Sequence, residues 1–452
     1  MECQIKDEWA TFDRPTVVHQ FFHGQQTNPL DLPMHKQVRI DLTPLDDHDV
    51  PKKLRNDSLI RPATIDLNLS EAIRLLKTPH NERKFHAYVR YFPLDELPET
   101  RDSVPRPRGL KIEQANLWLG DGAMTSDVHY DGFDNLLIQV GGRKEVLLWD
   151  PFDGRLLDYR TFHERQYAFD RSTNNFLGHY ATGRFVENHA AHKAFAHGEP
   201  KPTMRCTVAP GDALFIPALW SHAVRSFVDI GQLNVAVNYW FTSDTSSHER
   251  ALAKRPKWAQ GHFCLANNLL SLGRGTEAEL AYKRAIESRP DYFDAHHNLA
   301  TLYADSLSDL SRASQSFENA LAIRPQDVRC LTNYGVVLRR QGKIDEAIRA
   351  YERARALAPD DTRLLFALGN SYAMAQRLNE ALSALDEATR NSPSNAKVLN
   401  SKGVVLEDLG RLNEAIAAFE AAVRADPGYE KARENLRRAK AANSVLRKPD
   451  EI

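Results

Sequence analysis

Cysteine is scarce in this chain. Its 452 residues hold four, Cys3, Cys206, Cys264 and Cys330, far apart and in no CxxC pair. That spacing excludes a dense disulfide framework and offers no ready structural zinc site. No apolar run approaches the roughly 18 residues that a membrane helix needs, so no membrane span is expected. An excess of one charge is missing as well: 59 Lys and Arg face 60 Asp and Glu, for a formal net charge of -1. A whole-chain basic footprint is therefore absent and nucleic acid is disfavoured as a partner, although a local patch stays open. The N-terminal stretch MECQIKDEWATFDRP is charged and lacks the apolar core of a secretory signal. A cytoplasmic protein with reduced thiols is expected, with the nucleus an alternative in a eukaryotic cell. Disorder of the whole chain is excluded, because 42% of the residues are apolar and 26% charged, ordinary values for a chain with a sizeable core.

What is present divides near residue 245. Most histidines and aromatic residues precede that point, and an Ala-, Leu-, Arg- and Glu-rich grammar follows it. The break falls in FTSDTSSHER, whose Ser/Thr cluster can cap a helix start. The second half repeats. Pro256, Pro290, Pro325, Pro359, Pro393 and Pro427 are separated by 34, 35, 34, 34 and 34 residues. Before the last five of them stand small residues (Ala285, Ala320, Ala354, Ala388, Ala422), then Tyr282, Phe317, Tyr351, Leu385 and Phe419, then a second set of alanines from Ala278 to Ala415. Gly335, Gly369 and Gly403 add a small site in the first helix of their units. Small residues let paired helices approach, the large one fills the gap beside them, and proline ends each unit because it cannot continue a helix. This period and these residues resemble the tetratricopeptide repeat. Five full repeats are read over about 257–427, with a lead-in helix at Ser246–Arg255 and a capping helix at Tyr429–Ala442. The earlier repeats depart from the pattern: Ala266 replaces the small-site glycine, and the second repeat carries one extra residue around Tyr303–Leu310.

The first half reads as strands. NLWLGDG, NLLIQV, KEVLLWD, RCTVA, DALFIP and NVAVNYWF are short, β-branched or aromatic, and bounded by Gly, Pro or Asp. Gly141-Gly142 suits a hairpin turn between two of them. A barrel or double-sheet jelly roll is the expected outcome. Nearer the N-terminus, Leu69–Thr78 has helical periodicity and Phe85–Phe92 reads as a strand.

His129-Tyr130-Asp131 is an H-x-D triplet, which on a strand sets an imidazole and a carboxylate on one face. Alone this is a weak signal, since His80-Asn81-Glu82 and His197-Gly198-Glu199 have the same form. Context separates it: Asn135 and Lys144 follow on the hairpin strands, and GDALFIPALWSH brings His222 after an apolar strand and a Pro-broken turn. Two histidines and one carboxylate form the facial triad of non-haem Fe(II) oxygenases, which leaves positions open for a 2-oxo acid and O2.

Here the resemblance becomes specific. TSDVHYDGFDNLLIQVGGRKEVLLWDP, GDALFIPALWSH and NVAVNYWF resemble the JmjC/cupin-like Fe(II) and 2-oxoglutarate-dependent hydroxylases, in the style of the asparaginyl hydroxylase that modifies hypoxia-inducible factor. The resemblance covers roughly 10–243, most tightly about 115–149 and 208–241. It implies that His129, Asp131 and His222 bind Fe(II) as the catalytic centre. It also implies that Lys144, with Ser126 beside it, takes the distal carboxylate of 2-oxoglutarate. Asn135 and Asn238 match asparagines near the iron and the cosubstrate, and Trp240 matches an aromatic beside the site. Tyr88 or Tyr91 reaches the cosubstrate; the sequence does not choose between them. Two departures stand out. The link from Trp149 to Cys206 is long and histidine-rich (His163, His179, His189, His192, His197), and the step from His222 to Asn238 is one residue longer than in that hydroxylase.

The expectation is thus a multidomain protein: an N-terminal double-stranded β-helix (a cupin-like JmjC jelly roll) over 1–245, an all-α tetratricopeptide-repeat solenoid over 246–442, and a tail over 443–452. The expected enzyme couples decarboxylation of 2-oxoglutarate to hydroxylation of a protein or peptide side chain, with Fe(II) and O2, and the repeat groove recruits the substrate. Homodimerisation is left open. Two alternatives remain: the same chemistry on histone methyl-lysine, tRNA or a small molecule, or an inactive scaffold acting through its repeats.

Overall fold

The computed structural model describes residues 14–19, 32, 34–44, 58–83, 85–97, 104, 111–153, 157, 159, 162–171, 175–186, 201–229, 232–242 and 244–446. Backbone contacts divide the chain into two compact units, Met1–Ala281 and Tyr282–Ile452.

The first unit is built on β-strands. An eight-stranded sheet runs in the order β1 (Thr16–Val18), β13 (Ala213–Ile216), β8 (Asp134–Gly141), β15 (Asn234–Thr242), β6 (Lys111–Gly120), β5 (Phe85–Pro93), β2 (Gln37–Pro44), β4 (Ala63–Asn68). A four-stranded sheet has the order β12 (Met204–Val208), β9 (Arg143–Trp149), β14 (Ser221–Phe227), β7 (His129–Tyr130). A third sheet joins β11 (Asn175–Val186), β10 (Phe162–Asp170) and β3 (Ser58–Arg61). The expected strands and the Gly141-Gly142 turn are all present, and Gly142 takes the left-handed φ of 68° that the tight β8–β9 turn requires.

Strand alternation explains the layers. Along β15, Val235, Val237, Tyr239 and Phe241 face outward into a core shared with β2, β5, β6 and helix α1 (Leu69–Lys77). That helix starts at a capping box between Asn68 and Glu71 and buries Leu69, Ala72 and Leu76 on one face. The opposite face of β15 turns toward the four-stranded sheet. There Ala236, Leu137, Leu214 and Ile216 pack against Val146, Leu148, Cys206 and Val208. Phe215 and Trp220 both belong to these cores. This inter-sheet space is the interior of a jelly roll, and the polar side chains that enter it form the candidate site.

Helices follow: α3 (Ser246–Lys254), α4 (Ala259–Ser271), α5 (Gly275–Ser288), α6 (Phe293–Asp305), α7 (Leu310–Ile323), α8 (Val328–Arg340), α9 (Ile344–Leu357), α10 (Thr362–Met374), α11 (Leu378–Asn391), α12 (Ala396–Asp408), α13 (Leu412–Ala425) and α14 (Glu430–Leu446); α2 (His80–Arg83) is a single turn before β5. The Ser/Thr cluster at the start of α3 caps less directly than expected: Thr245 makes no capping bond, and Asp244 Oδ1 accepts from Ser246 N–H at 2.8 Å.

Within the second unit the repeat chemistry is visible atom by atom. A Cβ on Gly335 would lie 2.6 Å from the Tyr351 ring, on Gly369 2.7 Å from Leu385, and on Gly403 2.5 Å from Phe419. Each glycine is therefore the seat of its large partner, and Phe317, Tyr351, Leu385 and Phe419 are fully buried core residues. The extra residue of the second repeat is absorbed in the turn 306–309, one longer than 341–343, 375–377 and 409–411, with Ser308 at φ 53°. No helix among the described residues is long and apolar enough to cross a membrane.

Candidate metal centre

Two distant segments meet at one end of the jelly-roll interior. β14 pairs antiparallel with β7 so that His222 stands opposite His129, and Asp131 follows just beyond β7. One ligand atom from each of His129, Asp131 and His222 lies within 4.8 Å of the others. The two imidazole rings are 4.5 Å apart between centroids, and His222 Nε2 is 3.7 Å from Asp131 Oδ2.

Both rings are held in one tautomer by the same device. His129 Nδ1 lies 2.9 Å from the carbonyl of Asp127, and His222 Nδ1 lies 3.0 Å from the carbonyl of Trp220. Each Nδ1–H donates two residues back along the chain, so each Nε2 lone pair is left facing the centre. Asp131 is anchored as well. Its Oδ2 accepts from Trp240 Nε1 at 3.1 Å and from Asn135 Nδ2 at 3.3 Å, and its backbone carbonyl accepts from Leu219 N–H at 2.9 Å. Leu219 has a φ of 68° in the turn between β13 and β14, a left-handed conformation that costs a leucine about 1–2 kcal/mol.

Behind Asp131 runs a relay of side-chain amides. Gln114 donates to Asn116 at 2.7 Å, Asn116 to Asn238 at 3.3 Å, Asn238 to Asn135 at 3.3 Å, and Asn135 to Asp131. Trp118 Nε1 donates to Asn238 Oδ1 at 2.7 Å. The sheet register explains the array: Asn238 pairs opposite Asn116, and Trp240 opposite both Gln114 and Asn135, all on the inner face. The N–H groups all point down the chain toward the carboxylate, an arrangement in which each bond polarises the next.

Lys144 enters the same interior from β9 and is 3% exposed. Its Nζ donates to Ser226 Oγ at 2.8 Å, and among the described residues no carboxylate pairs with it. Burial lowers its pKa from 10.5 to about 7. Lys144 pairs opposite Ser226, four residues along β14 from His222, which is about 13 Å at 3.3 Å per residue. Ser126 is used differently: its Oγ accepts from Val224 N–H at 2.9 Å and donates to the Asp127 carbonyl at 3.2 Å. Tyr88 is buried with its ring against Gly120 and 5.8 Å from the Trp118 ring, whereas the Tyr91 side chain lies outside the described residues. So do the side chains of His163 and His179, on β10 and β11, and the whole of His189, His192 and His197.

Sequence reasoning missed Ser226, Trp118, Asn116 and Gln114. The signal was alternation: Ser226 is four residues from His222, and Gln114, Asn116 and Trp118 occupy every second position of one strand.

Residues 30–247 match a model of the cupin-like domain, and residues between 264 and 430 match the tetratricopeptide repeat four times over. The chain joins a JmjC-type cupin domain to tetratricopeptide repeats. It is 28% identical over 153 residues to lysine-specific demethylase JMJ32 of Arabidopsis thaliana, covering 29% of this chain and 43% of that protein. It is 25% identical over 268 residues to the bifunctional peptidase and (3S)-lysyl hydroxylase JMJD7 of Homo sapiens, covering 52% and 79%. The crystal structure of YrrB, a tetratricopeptide-repeat protein with an unusual peptide-binding site, aligns over 41% of this chain and 96% of YrrB at 23% identity and a TM-score of 0.39. The chain thus spans less than half the length of JMJ32. Two imidazole nitrogens and a carboxylate oxygen, each group held by a hydrogen bond to a neighbour and with no thiolate beside them in the triad, suit a divalent first-row metal such as Fe(II).

Proposed function

We propose that this chain is an Fe(II)- and 2-oxoglutarate-dependent dioxygenase that hydroxylates a protein or peptide side chain, with the repeats recruiting the substrate. One observation carries the reading: the His129–Asp131–His222 triad shares an inner face with Lys144, a buried cation that no described carboxylate neutralises. A buried cation is tolerable when an anion answers it. A dicarboxylate that meets the triad at one end and Lys144 at the other answers both.

In this reading His129, Asp131 and His222 hold Fe(II). Lys144 and Ser226 bind the distal carboxylate of 2-oxoglutarate, joined by Ser126 as the resemblance implies. Asn135 and Asn238 keep Asp131 fixed while bordering the cosubstrate, and Tyr88 lies on the Trp118 side of the pocket. Bound there, Fe(II) with 2-oxoglutarate and O2 would supply the oxidising power for C–H hydroxylation. The protein's part is orientation and the exclusion of water by the inter-sheet core. Catalysis belongs to the jelly roll, proposed over 1–245, and recruitment to the repeats, proposed over 246–442.

The test uses the full chain with Fe(II), 2-oxoglutarate and O2. Slow succinate formation without a substrate is expected, abolished by Asp131→Ala and weakened by Lys144→Ala through at least a tenfold higher KM for 2-oxoglutarate. Candidate peptides are then screened by mass spectrometry for the gain of one oxygen. No succinate from the metal-loaded wild type, or an unchanged KM in Lys144→Ala, defeats the proposal. The name of JMJ32 favours a second reading, removal of a methyl group from lysine; it predicts formaldehyde release from a methylated peptide in place of a stable hydroxyl.

A further inference from the structure

The segment that carries Asp131 is gripped from two sides. On one side is the strained β13–β14 turn, where Leu219 N–H donates to the Asp131 carbonyl and Ala218 N–H to Asp134 Oδ1, both at 2.9 Å. On the other side are α3 and α4, which lie in the same compact unit as the jelly roll. His248 of α3 is 0% exposed, and its Nε2 lies 2.9 Å from the carbonyl oxygen of Gly132, the residue after Asp131. Its other nitrogen, Nδ1, lies 3.4 Å from the Asn268 side-chain amide of α4. The amide donates to Nδ1, so Nε2 carries the proton and donates to Gly132. Burial lowers the His248 pKa, which agrees with a neutral ring.

α4 presses on the same spot. A Cβ on Gly132 would stand 3.3 Å from Cys264 Sγ. Trp258, at the start of α4, packs edge-on against Tyr130 with ring centroids 5.2 Å apart. At the far end of α4, Ser271 Oγ donates to Glu113, and the Lys111 ammonium donates to the Ser271 carbonyl. The helix therefore reaches from β7 to the start of β6, along the edge of the jelly roll next to Asp131. His248 stands eight residues before Pro256, the position at which the later units carry Tyr282 or Phe317, yet its hydrogen bond goes to Gly132 of the jelly roll; Cys264 and Asn268 lie outside the small and large positions that define the repeat.

We infer that α3 and α4, though written in the grammar of the repeats, are part of the metal centre's scaffold, and that His248 is a positioning residue that sets Asp131 through the Gly132 carbonyl. This rests on the reading of His129, Asp131 and His222 as metal ligands.

The experiment titrates the full chain with Co(II), read by its visible absorption, alongside thermal unfolding. His248→Leu is expected to weaken Co(II) binding ten-fold or more, the range seen when an outer partner of a metal ligand is lost. His248→Gln, whose amide can donate to the same carbonyl, is expected to recover most of that loss. Gly132→Ala tests the second contact without touching His248: it is expected to weaken Co(II) binding, and Cys264→Ala added to it is expected to restore it. Wild-type affinity in both His248→Leu and Gly132→Ala overturns the inference, as does a His248→Gln protein no better than His248→Leu. Failure of the metal-site reading has a different signature: no Co(II) binding by the wild type, or equal binding by Asp131→Ala.

Discussion

Lys144 should make the ligand-free protein less stable than it would be with an apolar residue in its place. A free lysine titrates near 10.5, and burial brings Lys144 down to about 7. Between those two values the unfolded chain holds a proton that the folded chain has released. Stability must therefore rise with pH across that window, at about 1.4 kcal/mol per pH unit. Below pH 7 both states are protonated and the whole penalty weighs on the fold, roughly 5 kcal/mol as an upper bound, because relaxation and water entry reduce it. Lys144→Met keeps the length and removes the charge. It also deprives Ser226 Oγ of its partner, which costs about 1 kcal/mol. The larger effect wins, so ligand-free Lys144→Met should be more stable than wild type by about 2–4 kcal/mol at pH 6. The difference should vanish toward pH 10.5. Urea unfolding followed by tryptophan fluorescence reads this cleanly, because all six tryptophans, the last of them Trp258, precede the second unit. A dianion that pairs with Lys144 must return its proton, so 2-oxoglutarate affinity of the metal-loaded wild type should fall about tenfold per pH unit above pH 7. An affinity that is flat between pH 7 and 9, or a Lys144→Met protein no more stable at pH 6, refutes the reasoning.

Trp240→Phe removes the indole N–H from Asp131 while keeping a ring, and should weaken Co(II) binding about tenfold with little change in unfolding. Asp131→Asn should weaken Co(II) binding more than tenfold yet fold normally, because the amide oxygen can still accept from Trp240 and Asn135 while the ligand loses its negative charge; Co(II) affinity within tenfold of wild type would contradict this. Gly335→Ala drives a Cβ to 2.6 Å from the Tyr351 ring and should destabilise the second unit by roughly 1–3 kcal/mol, seen by circular dichroism with tryptophan fluorescence unmoved. Gln376 holds a φ of 60° where the equivalent turns use Gly342 and Gly410, so Gln376→Gly should stabilise that unit by about 1 kcal/mol in the same assay.

The legible parts of the molecule are those where a local pattern answers a physical need. Gly335, Gly369 and Gly403 recur because each seats the ring or branch of Tyr351, Leu385 or Phe419, and a fixed period makes that need visible. His129 and Asp131 are legible because two residues on a strand share a face, and His222 because a Pro-broken turn delivers it from an apolar strand. Ser226 was hidden, since only the β9–β14 register puts it on Lys144. Gln114 and Asn116 are polar residues on a strand, and their inward role follows only once Asn238 pairs opposite Asn116. His248 was hidden most thoroughly, because it sits in helical repeat grammar while its partner, Gly132, is 116 residues earlier. Contacts of that span follow from the fold, and no window of sequence contains them.

The arrangement of charge inside the jelly roll bears on which ligand it can take. Asp131 and protonated Lys144 carry opposite charges on one inner face, and adjacent they would neutralise each other as an ordinary buried pair. The His222-to-Ser226 spacing along β14 holds the two ends of the site apart. The amide relay meets the needs of Asp131 with N–H donors from Asn135 and Trp240 instead of with the lysine. Among the described residues, Lys144 is left with a single neutral hydroxyl as side-chain partner. A monoanion at the triad would leave that cation unanswered, and a monoanion at Lys144 would leave the triad unmet. A dianion long enough to touch both relieves two unfavourable burials in one binding event. The separation of the charges, more than their presence, favours a dicarboxylate.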